Sequence, residues 1–82
     1  MNTDGNKWAY HEGKLVKRFE FDNFVESLAF VNKVGDLAEK AGHHPDITFG
    51  WGYAEIVLFS HDKNKITDKD QKLADSIDQI LV

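Results

Sequence analysis

The stretch DNFVESLAFVNKVGDLAEKAGHHP, residues 22–45, decides the fold, because it carries a long helix together with the signals that begin and end it. Asn23 and Glu26 form an Asn-x-x-Glu start that resembles a capping box. Apolar residues then recur at helical spacing: Phe24, Leu28, Val31, Val34, Leu37, Ala38 and Ala41. Gly42 suits the C-terminal cap, and Pro45 prevents the helix from resuming. The pattern predicts an amphipathic helix that ends directly before two adjacent histidines.

Two strands are predicted before this helix, over residues 7–11 and 15–21, joined around Glu12 and Gly13. The period of two gives the second strand two different faces. Its apolar face is predicted to carry Leu15, Phe19 and Phe21, and its other face Val16, Arg18 and Glu20. This half-apolar alternation is typical of an antiparallel sheet with one buried side.

A second hairpin and a second helix are predicted after Pro45. Apolar residues alternate over 47–51, and Gly52 suits a turn. Beyond the turn two alternating sets are equally able to face the core, either Ala54, Ile56 and Leu58 or Tyr53, Val57 and Phe59. Thr67 is the expected N-cap of the last helix, which has acidic residues in its first turn. Its apolar face is predicted to hold Leu73, Ala74, Ile77, Ile80 and Leu81.

The predicted order is therefore ββαββα, which indicates an α+β fold with a four-stranded antiparallel sheet and two helices packed on one face. The chain has 82 residues and shows no internal linker, so a single domain over residues 1–82 is expected, with residues 1–6 disordered. A chain of this size buries only about 60% of the surface that its unfolded form exposes, so oligomerisation would stabilise it.

Composition excludes several classes of function. There is no cysteine, which rules out disulfides, thiolate metal sites and a cysteine nucleophile. The formal charge is −4 and the basic residues are scattered, so direct binding to nucleic acid is not expected. No apolar run approaches the roughly 20 residues of a membrane span, and no leader is evident, so we expect a cytoplasmic protein without membrane contact.

Three histidines are the candidate functional residues. His43 and His44 follow the first helix and His61 follows the fourth strand, so an antiparallel sheet can bring them together. Imidazoles converging on one pocket would donate and accept protons near neutral pH. Alternatively, each is an ordinary loop histidine or interacts with a helix C-terminus. A zinc site is a further alternative, although adjacent side chains diverge and no HExxH motif occurs. Ser60 precedes His61, but no nucleophile elbow surrounds it.

The spacing of seven residues resembles a known signature. Glu39 is followed after three residues by His43-His44-Pro45, after five more by Trp51, after nine more by His61 and after eight more by Asp70. This arrangement is similar to that of the pterin-4a-carbinolamine dehydratases, and the likeness extends over nearly the whole chain. It implies removal of water from a 4a-hydroxytetrahydropterin to give a quinonoid dihydropterin, in support of tetrahydropterin recycling, with no cofactor and no metal.

The resemblance also implies roles for individual residues. His43 and His61 are the expected proton-transfer groups, and His44 orients the pterin or shares that role. Glu39 is expected to fix the tautomer of His43 or raise its pKa. Pro45 would stiffen the loop. Ser60 and Asp62 are expected to contact the pterin, and Asp70 either supports His61 or acts only as a first-turn acid of the last helix. Gly42 stands where many relatives have Asn or Asp, which would remove one polar contact to substrate.

The expected partners are the pterin substrate and further copies of the chain. Members of the family form dimers or dimers of dimers, so a homodimer or homotetramer is expected. Animal members also act as dimerisation cofactors of a transcription factor, so a non-catalytic protein-binding module is the alternative function. Neither reading involves direct contact with nucleic acid.

Overall fold

A computed structural model describes residues 7–80 of the chain. The elements follow the predicted order: β1 (Ala9–His11), β2 (Lys14–Glu20), α1 (Phe24–Ala41), β3 (Asp46–Gly50), β4 (Tyr53–Leu58) and α2 (Asp68–Gln79). The expected disorder of residues 1–6 and the predicted place of Leu81 on the last helix fall outside the described residues. No helix within residues 7–80 has both the length and the apolar character needed to cross a membrane.

The first hairpin turns where the sequence predicts. Glu12 and Gly13 both have positive φ values, 52° and 81°, which is the conformation that a two-residue turn of right-handed twist requires. The prediction placed the first strand over residues 7–11, but β1 begins only at Ala9. Trp8 instead turns toward the core, where its ring meets that of Phe19 edge to face.

The sheet has the strand order β1-β2-β4-β3, with all neighbours antiparallel. Its central pair is β2 and β4, in which Leu15 lies opposite Leu58 and Phe19 opposite Ala54. The hairpin of β3 and β4 is inserted so that β4 pairs with β2, and β3 becomes an edge strand. The edges are therefore β1, with three residues, and β3, with five.

Both helices cover the same face of the sheet, as predicted. One cluster of buried side chains joins the inward residues of the strands to both helices: Leu15, Phe19, Phe30, Val34, Ala38, Ala54, Ile56, Leu58, Leu73, Ala74 and Ile77. Of the two alternating sets that the sequence left open for β4, the set containing Ile56 faces the core. Lys17 also points inward, where its Nζ lies 2.8 Å from Asp78 Oδ1, which also accepts from Trp8 Nε1 at 3.2 Å.

Helix α1 has the predicted caps. Asn23 accepts a hydrogen bond from the Glu26 amide at 2.9 Å, and Gly42 takes the left-handed conformation with φ 64°. The predicted apolar face is partly wrong, since Phe24 and Leu28 are exposed. The core side of α1 is formed by Ser27, Phe30, Val34 and Ala38. Ser27 is buried because its hydroxyl donates to the Gly50 carbonyl at 2.7 Å, which ties α1 to the end of β3.

Candidate active site

The backbone at the end of α1 fixes the position of His43. Gly42 adopts the left-handed conformation, and the next amide, that of His43, turns back to donate to the Ala38 carbonyl at 3.1 Å. This closure directs the chain toward the N-terminus of α2. As the sequence predicts, Gly42 has no side chain to make a polar contact to substrate, and the structure gives this residue the role of a helix cap.

Asp70 is the residue that His43 meets. It lies in the first turn of α2 and is fully buried, and its Oδ1 is 2.5 Å from His43 Nε2. The other carboxylate oxygen, Oδ2, accepts from the Thr67 amide at 2.9 Å and from the Ser60 hydroxyl at 2.7 Å. Asp70 therefore joins the end of α1, the end of β4 and the start of α2 at one carboxylate. The expectation that Asp70 supports His61 is wrong, because its imidazole partner is His43.

Opposing effects act on the pKa of the Asp70 carboxyl. Burial desolvates the carboxylate and would raise its pKa, but this is outweighed by the hydrogen bond with His43, by the Thr67 amide and the Ser60 hydroxyl, and by the charge of the His43 ring. The pKa of Asp70 consequently lies below its usual value. The carboxylate is ionised at neutral pH, so it acts only as an acceptor.

His44 and Glu39 form a second pair. His44 Nε2 lies 2.6 Å from Glu39 Oε2, and both side chains are exposed, by 62% and 78%. The sequence predicted that Glu39 would act on His43, one helical turn away. That pairing is wrong because the His43 ring turns inward to Asp70, and its neighbour His44 remains on the surface beside Glu39.

His61 stands on an exposed loop after β4. Its ring packs edge to face against Phe59, with the ring centroids 5.1 Å apart. The loop is closed by backbone hydrogen bonds between Ser60 and Lys65, at 3.1 and 3.4 Å. His61 thus directly follows Ser60 and is one residue removed from the Asp70 network, although it makes no hydrogen bond to that network.

Ser60 and Thr67 complete the network. Ser60 is only 1% exposed, and its hydroxyl oxygen is 2.7 Å from Thr67 Oγ1 as well as from Asp70 Oδ2. The predicted pterin contact of Ser60 is therefore not available to its hydroxyl, which is already engaged. Thr67 was predicted only as a helix cap. Its Thr-x-x-Asp spacing to Asp70 was the signal that could have placed it in the site.

Two surface hollows adjoin these residues. One, of about 220 Å³, is lined by Ser60, Asp62, Lys63, Thr67, Asp68 and Lys69. The other, of about 440 Å³, lies against α1 and β3 and includes Glu39, His44 and Pro45 in its lining. Asp62 and Pro45 therefore line different hollows, and neither hollow is lined by His43 or His61.

The remaining signature residue, Trp51, lies in the turn between β3 and β4 and is 72% exposed. Among residues 7–80, no three His, Cys, Asp or Glu side chains are grouped in a way that would hold a metal ion. The structure thus brings together His43, Asp70, Ser60 and Thr67, pairs His44 with Glu39, and leaves His61 on the adjoining loop.

The chain matches a known protein family. The family described as "Pterin 4 alpha carbinolamine dehydratase" matches residues 1–80. The chain belongs to this family.

Relatives in the pterin carbinolamine dehydratase family include proteins of Rubrobacter xylanophilus and Methylococcus capsulatus, each named "Putative pterin-4-alpha-carbinolamine dehydratase". They are 49% and 43% identical to this chain over 84% and 82% of its length. The chain spans only 64% and 59% of their own lengths. A relative of the same name from Natronomonas pharaonis is 40% identical over 89% of the chain and 79% of its own length.

Solved structures of this dehydratase family share the fold. A "transcriptional coactivator/pterin dehydratase" from Brucella melitensis superposes with a TM-score of 0.86 at 25% identity, over 92% of this chain and 82% of its own. A "pterin dehydratase-like protein" described as a RuBisCO assembly factor in the alpha-carboxysome gives 0.81 at 25% identity, over 98% and 95%. The ββαββα architecture is therefore that of the family.

Proposed function

We propose that this chain catalyses the dehydration of a 4a-hydroxytetrahydropterin to a quinonoid dihydropterin, and so supports tetrahydropterin recycling. The observation that carries the proposal is the pairing of His43 with the buried carboxylate of Asp70. Family membership supplies the substrate class, and this pair supplies an oriented imidazole suited to the reaction. A solvated loop histidine would need no such partner.

The reaction requires one proton to be added and one to be removed. The C4a–O bond breaks as the departing hydroxyl takes up a proton and leaves as water. The neighbouring ring nitrogen loses its proton, and the electron pair of that N–H bond forms the new double bond to C4a. A positioned acid or base is typically worth about 10² to 10⁴ in rate. We assign the two proton transfers to His43 and His61, with His44 orienting the pterin.

The test is a dehydratase assay with freshly generated 4a-hydroxytetrahydropterin. His43→Gln retains an amide donor for Asp70 but cannot transfer a proton, and His61→Gln removes an exposed imidazole. Each variant is expected to lower kcat at least tenfold, because a positioned acid or base is typically worth about 10² to 10⁴ in rate. The matched control is His11→Gln, which changes an exposed histidine of β1 and should leave kcat unchanged.

Two results would contradict the assignment. Wild-type kcat in both His43→Gln and His61→Gln would remove these imidazoles from the chemistry. His44→Gln is expected to raise KM more than it lowers kcat, since His44 is assigned to substrate binding. A large loss of kcat at unchanged KM would instead place His44 among the proton-transfer groups.

The proposed chemistry needs only proton transfer, so the activity is expected to be independent of metal. Dialysis against a strong chelator should leave both kcat and the melting temperature unchanged. A loss of activity that added zinc restores would favour a metal-dependent reaction. Elemental analysis of the same samples would identify the ion.

A second candidate function is a non-catalytic protein-binding module. It is favoured by the two structural neighbours described as a coactivator and as an assembly factor, and by the exposure of Val25 and Trp51, apolar side chains suited to a protein contact. Such a module would have no use for the His43–Asp70 pair. Wild-type protein without dehydratase activity, on the substrate described above, would favour this second function.

A further inference from the structure

The loop that carries His61 is tied at both ends to the carboxylate that holds His43. We define the His61 loop as residues 61–66. Ser60, directly before it, donates its hydroxyl proton to Asp70 Oδ2, and Thr67, directly after it, donates its backbone amide to the same oxygen. Asp70 Oδ1 meets His43. A single buried carboxylate therefore fixes the two segments that contribute the proposed acid and base.

The direction of each hydrogen bond follows from the number of protons available. An ionised carboxylate only accepts, so the single hydroxyl proton of Ser60 goes to Asp70. Ser60 can then only accept from Thr67, whose Oγ1 lies 2.7 Å from its hydroxyl oxygen. The two hydroxyls form an oriented chain, in which Thr67 donates to Ser60 and Ser60 donates to Asp70.

The tautomer of His43 also follows from its contact with Asp70. Its Nε2 faces Asp70 and must carry a proton in order to donate to it. Its Nδ1 makes no hydrogen bond within residues 7–80, so Nδ1 is the nitrogen left to exchange a proton with another molecule. The side chain is 13% exposed, which leaves part of the ring open to the surface.

We propose that Ser60 and Thr67 are positioning residues, whose hydroxyls hold Asp70 so that it keeps His43 in the Nε2–H tautomer with Nδ1 as its reactive nitrogen. The same contacts keep the His61 loop at a fixed distance from His43. The kinetic part of this inference rests on the proposed dehydratase function. The tautomer part concerns the free protein and does not depend on it.

Another buried serine provides the matched control. Ser27 is as fully buried as Ser60, but its hydroxyl donates to the backbone carbonyl of Gly50, on a contact between α1 and the end of β3. Ser27→Ala and Ser60→Ala each remove one buried hydroxyl, and comparable losses of stability are expected. Only Ser60→Ala removes a donor from the Asp70 network.

The first measurement is a nitrogen–proton correlation spectrum of the histidine rings, recorded at alkaline pH, where imidazoles are neutral. The wild type is expected to show the His43 proton on Nε2, and Ser27→Ala should show the same. In Ser60→Ala the Nδ1–H form should become measurably populated. A His43 proton on Nδ1 in the wild type, or an unchanged tautomer in Ser60→Ala, would overturn the proposal.

The second measurement compares kinetic constants. Ser60→Ala should lower kcat roughly tenfold with KM within about twofold of wild type, as expected for a misplaced catalytic group and an intact binding site. Ser27→Ala should leave both constants within about twofold. Equal effects of the two substitutions would reduce Ser60 to a structural residue. If the wild type has no dehydratase activity, the proposed function fails, and the spectra alone decide the tautomer.

Thr67 provides an independent pair of variants if Ser60→Ala does not fold. Thr67→Val keeps the shape of the side chain and removes the hydroxyl that donates to Ser60, and Thr67→Ser keeps the hydroxyl. Thr67→Val should reproduce the tautomer shift and the loss of kcat, and Thr67→Ser should restore wild-type behaviour in both. Indistinguishable spectra and kcat values for the two Thr67 variants would contradict the proposed chain of hydroxyls.

Discussion

A fully buried carboxylate is tolerated only where donors replace the water it has lost, and Asp70 has three: His43, Ser60 and the Thr67 amide. His43 follows α1, Ser60 follows β4 and Thr67 precedes α2, so the carboxylate also connects the ends of these three elements. A hydrogen bond to a charged group contributes about 1.5–3 kcal/mol. Asp70 is therefore expected to affect both the chemistry of the site and the free energy of unfolding.

The pH dependence of stability follows from the direction of the Asp70 pKa. Because that pKa is lower in the folded protein than its usual value, the unfolded chain binds the proton more tightly. The resulting stabilisation is present above the unfolded pKa, about 3.9, and is lost as the pH falls through the folded pKa. Asp70→Asn should therefore unfold more easily than wild type at pH 7, by about 2 kcal/mol, and the difference should shrink as the pH falls through the lowered pKa of Asp70.

Urea unfolding of wild type and Asp70→Asn at a series of pH values tests this expectation. The control is Asp75→Asn on the exposed side of α2, for which the difference from wild type should be small at every pH. A stability difference for Asp70→Asn that stays constant from pH 7 to the acid range would show that the charge of Asp70 does not contribute.

The sequence singled out candidate site residues but did not predict the contacts between them. The spacing from Glu39 to Asp70 drew attention to the histidines, but local spacing favoured Glu39 as the partner of His43. The contact that forms instead spans 27 positions in the chain and depends on how the start of α2 packs against the end of α1. Long-range contacts of this kind follow from tertiary packing, which the helical spacing of neighbours does not encode.

At the scale of the helices and strands, Gly35 within α1 and Gly42 at its C-terminal cap have opposite roles. Gly42 has φ 64°, a backbone conformation that residues with a side chain rarely adopt. Gly35 has ordinary helical geometry, and no atom lies within 4 Å of where its Cβ would be. Gly35→Ala should raise the free energy of unfolding by about 0.5–1 kcal/mol, because alanine favours the helix. Gly42→Ala should lower it by about 1 kcal/mol through backbone strain.

Thermal or urea unfolding of the two alanine variants provides the measurement, and each variant is the control for the other. The same chemical change is made within α1 and at its cap, so a difference in sign must come from the backbone conformation. Equal changes in stability at both positions would contradict the assignment of Gly42 as the left-handed cap.

The caps of α1 and the turn of the first hairpin were readable from the sequence because their signals are local. Asn23, Gly42 and the Glu12-Gly13 turn act through their own backbone conformations, and all three occur as predicted. The inward orientation of Lys17 was not predicted. A lysine on the core face is tolerated because Asp78, 61 positions away, accepts a hydrogen bond from its Nζ at 2.8 Å. The strand order was likewise not derivable, since it depends on where the second hairpin inserts.

At the scale of the whole molecule, the apolar surface predicts self-association. Phe24, Val25 and Leu28 are exposed on α1, with Val25 at 73%, and within residues 7–80 the sheet ends in the edge strands β1 and β3. Pairing of such surfaces about a twofold axis would bury area that a chain of this size cannot cover alone. We expect light scattering at micromolar concentration to give two or four times the 9.4 kDa of one chain.

A variant can locate the contact as well as detect it. If α1 forms an interface, Val25→Lys should lower the measured mass, from that of a tetramer to that of a dimer or from that of a dimer to that of one chain. The reason is that the substitution places a charge in an apolar contact. The control is Gln71→Lys on the exposed side of α2, which should leave the mass unchanged. A wild-type mass near 9.4 kDa would contradict the prediction of an oligomer.

The contrasting positions of the two tryptophans make the chain its own optical reporter. Trp8 packs against Phe19 and donates to Asp78, so its emission should follow the global unfolding of the domain. Trp51 projects from the β3–β4 turn at 72% exposure, where a soluble quencher reaches it first. Emission that resists the quencher comes from Trp8 and therefore reports folding. The quenchable emission comes from Trp51 and reports binding of another molecule over the turn. One unlabelled sample can thus distinguish loss of structure from occupation of this surface.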